Sequence, residues 1–362
     1  MSWLLAFAGF ALLVVLHELG HFAVAKWVGM RVEKFSLFFP PTLASRKVGE
    51  TEYAIGLIPA GGYVRISGMS PAEDLPEEVR TRAYHAQPVW KRMAVIAAGP
   101  AVNLVVALAL LFVYFGLIGA ETGTDRVGTV EKGYPAAAAL EPGDRLVSVD
   151  GVRGDPIDLS RQIAAHECPE SPPTDGCRAA EPATLVIARD GRRIVERLTP
   201  VYDATSQVER SRLGFSYARG PRETLPLDDA LTTSLDRFWF IAKQTVALPA
   251  RIFDAEQRKE ISGIVGSYEF TRQTIVDDIA DTVGILAIIS LSLAIVNLFP
   301  FLPLDGGHIF WAAVEKLRGG RPVPFSVMER AGVVGFMLVI GLFAIGLSND
   351  IGRLSGEGFD VP

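Results

Sequence analysis

Four apolar stretches are each long enough to cross a hydrocarbon layer: about Trp3 to Val28, Ala94 to Ile118, Thr282 to Leu304 and Ala331 to Leu347. They predict about four transmembrane helices. Between the second and third lies a polar segment from about Glu121 to Asp281 whose short alternating runs read as strands. The first stretch breaks its own pattern, because His17, Glu18 and His21 stand among apolar neighbours. Ionisable groups at membrane depth cost about 2.5 to 3.5 kcal/mol each on insertion scales and are by default functional.

The basic residues near the span ends give an orientation. Lys26, Arg31 and Lys34 follow the first span, and Lys91 and Arg92 precede the second, so the loop between them reads as cytoplasmic. Arg318, Arg321 and Arg330 put the loop between the last two spans on that side too. The long polar segment and both termini then lie outside. No Lys or Arg precedes the first apolar stretch, and its three polar groups would spoil a leader's core, so it reads as a retained span.

Within the cytoplasmic loop, residues 53–68 (Tyr-Ala-Ile-Gly-Leu-Ile-Pro-Ala-Gly-Gly-Tyr-Val-Arg-Ile-Ser-Gly) alternate around a Pro59 to Gly62 cluster. This predicts a β-hairpin over about 50–68, turned at that cluster. In the outside segment, Arg126 to Val130, Tyr134 to Leu140 and Glu141 to Gly151 read strand, short helix, tight turn, strand, turn. Asp190-Gly191 between two strand-like arms predicts a second hairpin. Together these predict a small domain over 124–203. Cys168 and Cys177 lie nine positions apart in a Pro-rich insert of that domain, which suits a disulfide outside the cytoplasm, with two free thiols as the alternative. Over 225–281, Leu231, Leu235, Phe238, Ala242 and Val246 recur at helical spacing beside Trp239, an amphipathic helix for the membrane surface or the bundle. Ser262 to Ser267 then reads as a loop.

Composition agrees with a mixed protein. Of 362 residues, 49% are hydrophobic and 21% charged, with a mean hydropathy of +0.28, too apolar for an ordinary soluble enzyme and too charged for membrane alone. A net charge of −6 without a basic patch excludes a nucleic-acid partner as the expected reading.

The polar interruption in the first span is His17-Glu18-Leu19-Gly20-His21, an HExxH pattern. On a helix, positions i and i+4 share a face, so both imidazoles can reach one ion while the carboxylate stands beside it as a general base. Zinc accepts neutral imidazole and keeps a water when the protein supplies three ligands, so the chemistry points to hydrolysis. A third ligand must come from elsewhere. Asp305, in Asn297-Leu-Phe-Pro-Phe-Leu-Pro-Leu-Asp-Gly-Gly-His308, is the leading candidate, because Pro300 and Pro303 break the third span there and an Asp at that depth needs a cation. His308 is a rival ligand, and Asp305 as a simple helix cap is the structural alternative. His85 and His166 sit in polar segments and suit the role poorly. Asn297 can donate to a developing oxyanion, or hydrogen-bond between helices.

These residues resemble the site-2 protease family of intramembrane zinc metalloproteases, in particular its RseP/Rip-like bacterial branch with a single PDZ domain. The resemblance rests on HELGH in the first span, GGYVRISGM after it, AAGPAVNLVVA in the second, PGDRLVSVDG in the outside domain and NLFPFLPLDGGH in the third span. It implies that His17, His21 and Asp305 bind one Zn2+, that Glu18 is catalytic, and that Asn297 and Pro300 shape the substrate site. The hairpin glycines, Gly61 and Gly62, are the corresponding candidates for substrate contact. The implied activity is regulated intramembrane proteolysis: a single-pass transmembrane protein, such as an anti-sigma factor or a signal-peptide remnant, is cut within or near its span after another protease has trimmed it. A catalytically idle membrane PDZ scaffold and a metal transporter are the alternative readings. The implied fold is a polytopic α-helical membrane protein with a membrane-associated β-hairpin and one inserted extracytoplasmic PDZ-like α+β domain. The expected divisions are 1–120, 124–203, 225–281 and 282–362, in the plasma (inner) membrane, with peptide or substrate at the PDZ-like domain and the active site towards the cytoplasm.

Overall fold

The structure is a computed structural model that describes residues 1–69, 73–203, 210–251, 258, 261, 263–321 and 323–355. It forms two compact units, Met1–Ile118 with Leu225–Pro362, and Gly119–Thr224.

In the first unit, unbroken apolar sequence makes α1 (Ser2–Trp27), which stops where Gly29 takes a positive φ. Next come β1 (Val32–Val48), β2 (Thr51–Ile66) and the single turn α2 (Glu77–Arg80). Helix α3 (Val89–Val113) continues in wider turns to Ile118. Helix α3 is the hub of this unit: it packs against α1 and against three helices that follow the second unit. Val95 and Ile96 of α3 join Ala25, Met30, Val32 and Ile66 in one buried cluster.

The chain returns to the first unit with α5 (Leu227–Val246), α6 (Leu248–Arg251), α7 (Ile264–Asp277), α8 (Asp281–Asn297), α9 (Asp305–Leu317) and α10 (Phe325–Ser355). Among the described residues, three helices are long and apolar enough to cross a membrane: Ser2–Trp27, Val89–Ile118 and Ser326–Gly352. The third expected span, 282–304, is shorter than predicted. Helix α8 ends at Asn297 because Pro300 and Pro303 cannot donate to a continuing helix, and the chain starts again at Asp305. The fourth runs well beyond the expected 331–347.

Helix α5 splits its apolar surface. Ile241 and Ala242 pack with Leu291 and Ile295 of α8, whereas Leu231, Trp239 and Val246 stay exposed. Of the expected loop at Ser262 to Ser267, Ser262 lies outside the described residues, Gly263 caps α7, and the rest is the start of α7. The free N–H groups of Gly263 and Gly266 donate to the buried Asp350 carboxylate of α10 at 3.0 and 2.8 Å, a cap 84 or more residues away that no local pattern announces.

The β-hairpin also differs from expectation. Its turn is Gly49-Glu50, and the Pro59 to Gly62 cluster lies inside β2. The pair is antiparallel with several register shifts: residues 42–48 of β1 meet 51–56 of β2, while residues 34–37 meet both 62–65 and 52–55. A small sheet thus forms from two long strands, with 62–66 paired on one side only. Its turn is tied down by Glu50, which accepts from Arg82 at 2.7 and 2.9 Å and from Lys26 at 2.6 Å. Hydrogen bonds from Arg82, then Lys26, hold the Glu50 carboxyl down to about 2. Because the folded pKa is depressed, this contribution is complete above the ordinary carboxylate range and is lost as pH falls from about 4.5 towards 2. We expect Glu50→Gln to speed amide exchange at the 49–52 turn near pH 6, a difference from wild type that shrinks as pH falls and closes only below about 2.

The second unit is built on a five-stranded antiparallel sheet in the order β6-β5-β4-β3-β9. Its elements are β3 (Ala120–Val130), a short 3-10 turn at Pro135–Ala138, β4 (Arg145–Val149), α4 (Pro156–Ala164), β5 (Ala183–Arg189), β6 (Arg192–Leu198) and β9 (Phe215–Glu223), with a separate pair β7 (Val201–Asp203) and β8 (Arg210–Arg212). The predicted hairpin turns at Asp190-Gly191, both with positive φ. Leu146, Val149, Leu159, Leu185 and Ile187 fill the core. The unit exceeds the expected 124–203 because its last strand, β9, pairs with its first, β3, and that closure has no local signature. Cys168 and Cys177 are joined in a disulfide.

Candidate metal centre

His17 and His21 project from successive turns of α1 and are buried, and Asp305 opens α9. Their ligand atoms converge. His17 Nε2 lies 3.2 Å from Asp305 Oδ2, His21 Nε2 lies 3.3 Å from the same oxygen, and the two Nε2 atoms are 3.3 Å apart. A tetrahedral zinc with bonds of about 2.0 to 2.1 Å requires donors about 3.3 to 3.4 Å apart. The triangle therefore fits three corners of such a tetrahedron and leaves the fourth open. His308, the rival ligand, is on α9 one turn beyond Asp305 and is not part of this cluster.

Helix α3 sets the His21 ring. Its Nδ1–H donates to the Val95 carbonyl at 2.8 Å, so Nε2 keeps its lone pair for a metal. The ring lies flat against Gly99, where an added Cβ would come within 2.3 Å of Nε2. At Gly20 a Cβ would approach the Ala98 carbonyl oxygen to 2.6 Å, so α1 and α3 cross backbone to backbone beside the donors. No local pattern points to Val95 or Gly99 as partners of a histidine. The available signal was Gly99-Pro100 inside an apolar span, which marks close helix contact without saying what is contacted.

Glu18 turns towards β2. Its carboxylate is on the side of the Val64 backbone N–H, and Gly62 stands close enough that a Cβ there would meet Glu18 Cγ at 3.1 Å. Gly61 lies against the Phe39 ring instead. Asn297 is the last residue of α8 and Pro300 lies in the break after it. Among the described residues, no hydrogen bond joins either to the three donors. They are near through their neighbours: a Cβ on Gly306, beside Asp305, would fall 2.1 Å from the Leu298 carbonyl oxygen, beside Asn297.

The profile of Peptidase family M50 matches residues 5–342, nearly the whole chain. The chain belongs to peptidase family M50, the site-2 protease family. Its M50 relatives include a protein of Brucella suis biovar 1 named "Putative zinc metalloprotease", 31% identical over 93% of this chain and 92% of the relative. Similarly named proteins of Rhizobium meliloti and Xylella fastidiosa (strain Temecula1) are 30% and 26% identical, covering 95% and 94% of this chain and 95% and 96% of their own. This M50 peptidase is a multi-pass membrane zinc metalloprotease.

Proposed function

We propose that His17, His21 and Asp305 hold one zinc ion per chain and that Glu18 is the catalytic base of an intramembrane endopeptidase. The observation that carries this reading is the donor triangle of 3.2 to 3.3 Å edges with Glu18 next to it in sequence. Zinc bound there supplies Lewis acidity, making water nucleophilic near neutral pH and polarising a carbonyl. Glu18 takes the proton as the water oxygen bonds to the scissile carbonyl carbon, then returns it to the leaving nitrogen as the C–N bond breaks. Asn297 donates to the oxygen that gains charge, and Pro300 keeps the backbone after α8 open to substrate.

The substrate is a single-pass transmembrane protein already trimmed by another protease, cut within or near its span. A peptide bond inside a helix is shielded, and unwinding it in lipid strands its N–H and C=O groups. The one-sided edge of 62–66, with Gly62 beside Glu18 and Gly61 next to it against the Phe39 ring, can pair with the unwound segment and replace those hydrogen bonds. Residues 124–203, extended by β9, form a PDZ-like domain. Strand β9 is an edge of the sheet, open to addition of a peptide or substrate strand. The distribution of Lys and Arg supports a domain outside the inner membrane and an active site towards the cytoplasm.

Comparing membranes that carry wild type or Glu18→Gln tests this reading. Trapped single-pass proteins, pre-cut on the outside, should co-purify with the variant and not with wild type. An unchanged set of membrane proteins would contradict it.

A further inference from the structure

Among the described residues, few ionic contacts lie within the helical bundle, and one joins α3, whose Val95 and Gly99 touch the His21 ring, to α9, which begins with Asp305. Arg92 on α3 meets Glu315 on α9 at 2.5 Å, with side chains only 13% and 17% exposed. Arg92 also lies over the Tyr84 ring, and its Nε is buried without a hydrogen-bond partner. Such a pair is a poor source of net stability, since taking two charges out of water costs as much as their attraction returns. Its value is in geometry, because a covered pair is satisfied in one arrangement only.

The arrangement matters because of what each helix carries. Helix α3 gives no ligand, yet its residues at 95 and 99 hold the His21 ring, one and two turns from Arg92. Helix α9 begins with Asp305, and Glu315 lies ten positions further on. Of α9, Gly306, Gly307 and Ala312 are buried and Ile309 packs half-buried against the cluster of Val95 and Ile96, so mostly small side chains and a single large apolar one fix its position along α3. A sliding α9 would carry Asp305 with it, and metal distances tolerate about 0.2 Å.

We propose that Arg92 and Glu315 are positioning residues: their ion pair sets α9 along α3 and thereby the distance from Asp305 to the histidines. This inference rests on the reading of His17, His21 and Asp305 as the zinc ligands. Helix α3 then acts as a common rail, holding His21 at one point and the Asp305 helix at another.

The test measures zinc affinity of the full-length protein by chelator competition, together with the melting temperature of the metal-free form. The variants are Glu315→Gln, the exchange Arg92→Glu with Glu315→Arg, and Asp305→Ala. Loss of a group that orients a ligand typically costs about 10- to 100-fold in metal affinity. Glu315→Gln should fall in that range, and the exchange should recover to within about threefold of wild type. Wild-type affinity in Glu315→Gln overturns the proposal, and so does a loss that the exchange fails to restore. If Glu315→Gln does not fold, the exchange decides: wild-type affinity supports the proposal, while lost affinity or failure to fold overturns it. Asp305→Ala separates the two claims. Full affinity in that variant overturns the ligand reading itself, whereas its loss beside an unaffected Glu315→Gln overturns the positioning role alone.

Discussion

Glu18→Gln is expected to lower the rate of substrate cleavage by about 10²- to 10⁴-fold, the usual range for a general acid–base group, while zinc content stays at the wild-type level. The two halves of this result have separate causes. Glutamine matches the shape of glutamate and can still face Val64 and Gly62, so α1 and β2 should keep their contact. The proposed donors, His17, His21 and Asp305, are left in place by the substitution. What disappears is a group able to take a proton from water and return it to the leaving nitrogen. The measurement is cleavage of a reconstituted single-pass substrate alongside metal analysis of the same preparation. Retained activity would remove Glu18 from the chemistry, and lost zinc would make it a ligand.

Gly99→Ala is expected to be nearly as damaging, although residue 99 provides no functional group. A Cβ there would stand 2.3 Å from His21 Nε2 and 2.6 Å from Cε1, well inside contact distance. The ring cannot swing aside freely, because its Nδ1–H is tied to the Val95 carbonyl and Asp305 lies 3.3 Å from Nε2. Alanine in a helix is intrinsically better than glycine by about 1 kcal/mol, so α3 itself should form. The collision therefore falls on the ring or on the spacing of α1 and α3. We expect zinc affinity to drop about 10- to 100-fold, with cleavage falling in proportion at limiting zinc. Wild-type zinc affinity in Gly99→Ala would show that the two helices can part without moving His21.

What could be read from the sequence was what local chemistry dictates. Apolar run lengths gave the long helices, HExxH gave a pair of imidazoles on one helix face, and Asp190-Gly191 gave its turn. Asp305 stands out because an acidic residue after two prolines in an apolar stretch calls for a cation or a helix to cap, and it both opens α9 and converges with His17 and His21. The features that escaped depend on partners distant in the chain. Strand β9 closes on β3, Asp350 caps α7, and Gly99 matters only because His21 lies across it. The hairpin turn was misplaced for a related reason: Pro59 to Gly62 has turn composition, yet it is drawn into β2, whose flanking residues pair with 32–39 of β1 while Gly62 meets Glu18. In each case tertiary contact overrode a local signal or made one where the sequence had none.

Three side chains from two separated segments are proposed to hold one zinc inside the bundle. Zinc X-ray absorption on the purified full-length protein, wild type beside Asp305→Ala, tests it most directly. The expected result is one zinc per chain with two imidazole nitrogens and oxygen ligands at about 2.0 to 2.2 Å, and a marked loss of zinc in the variant. An unchanged zinc content and spectrum in Asp305→Ala would contradict it.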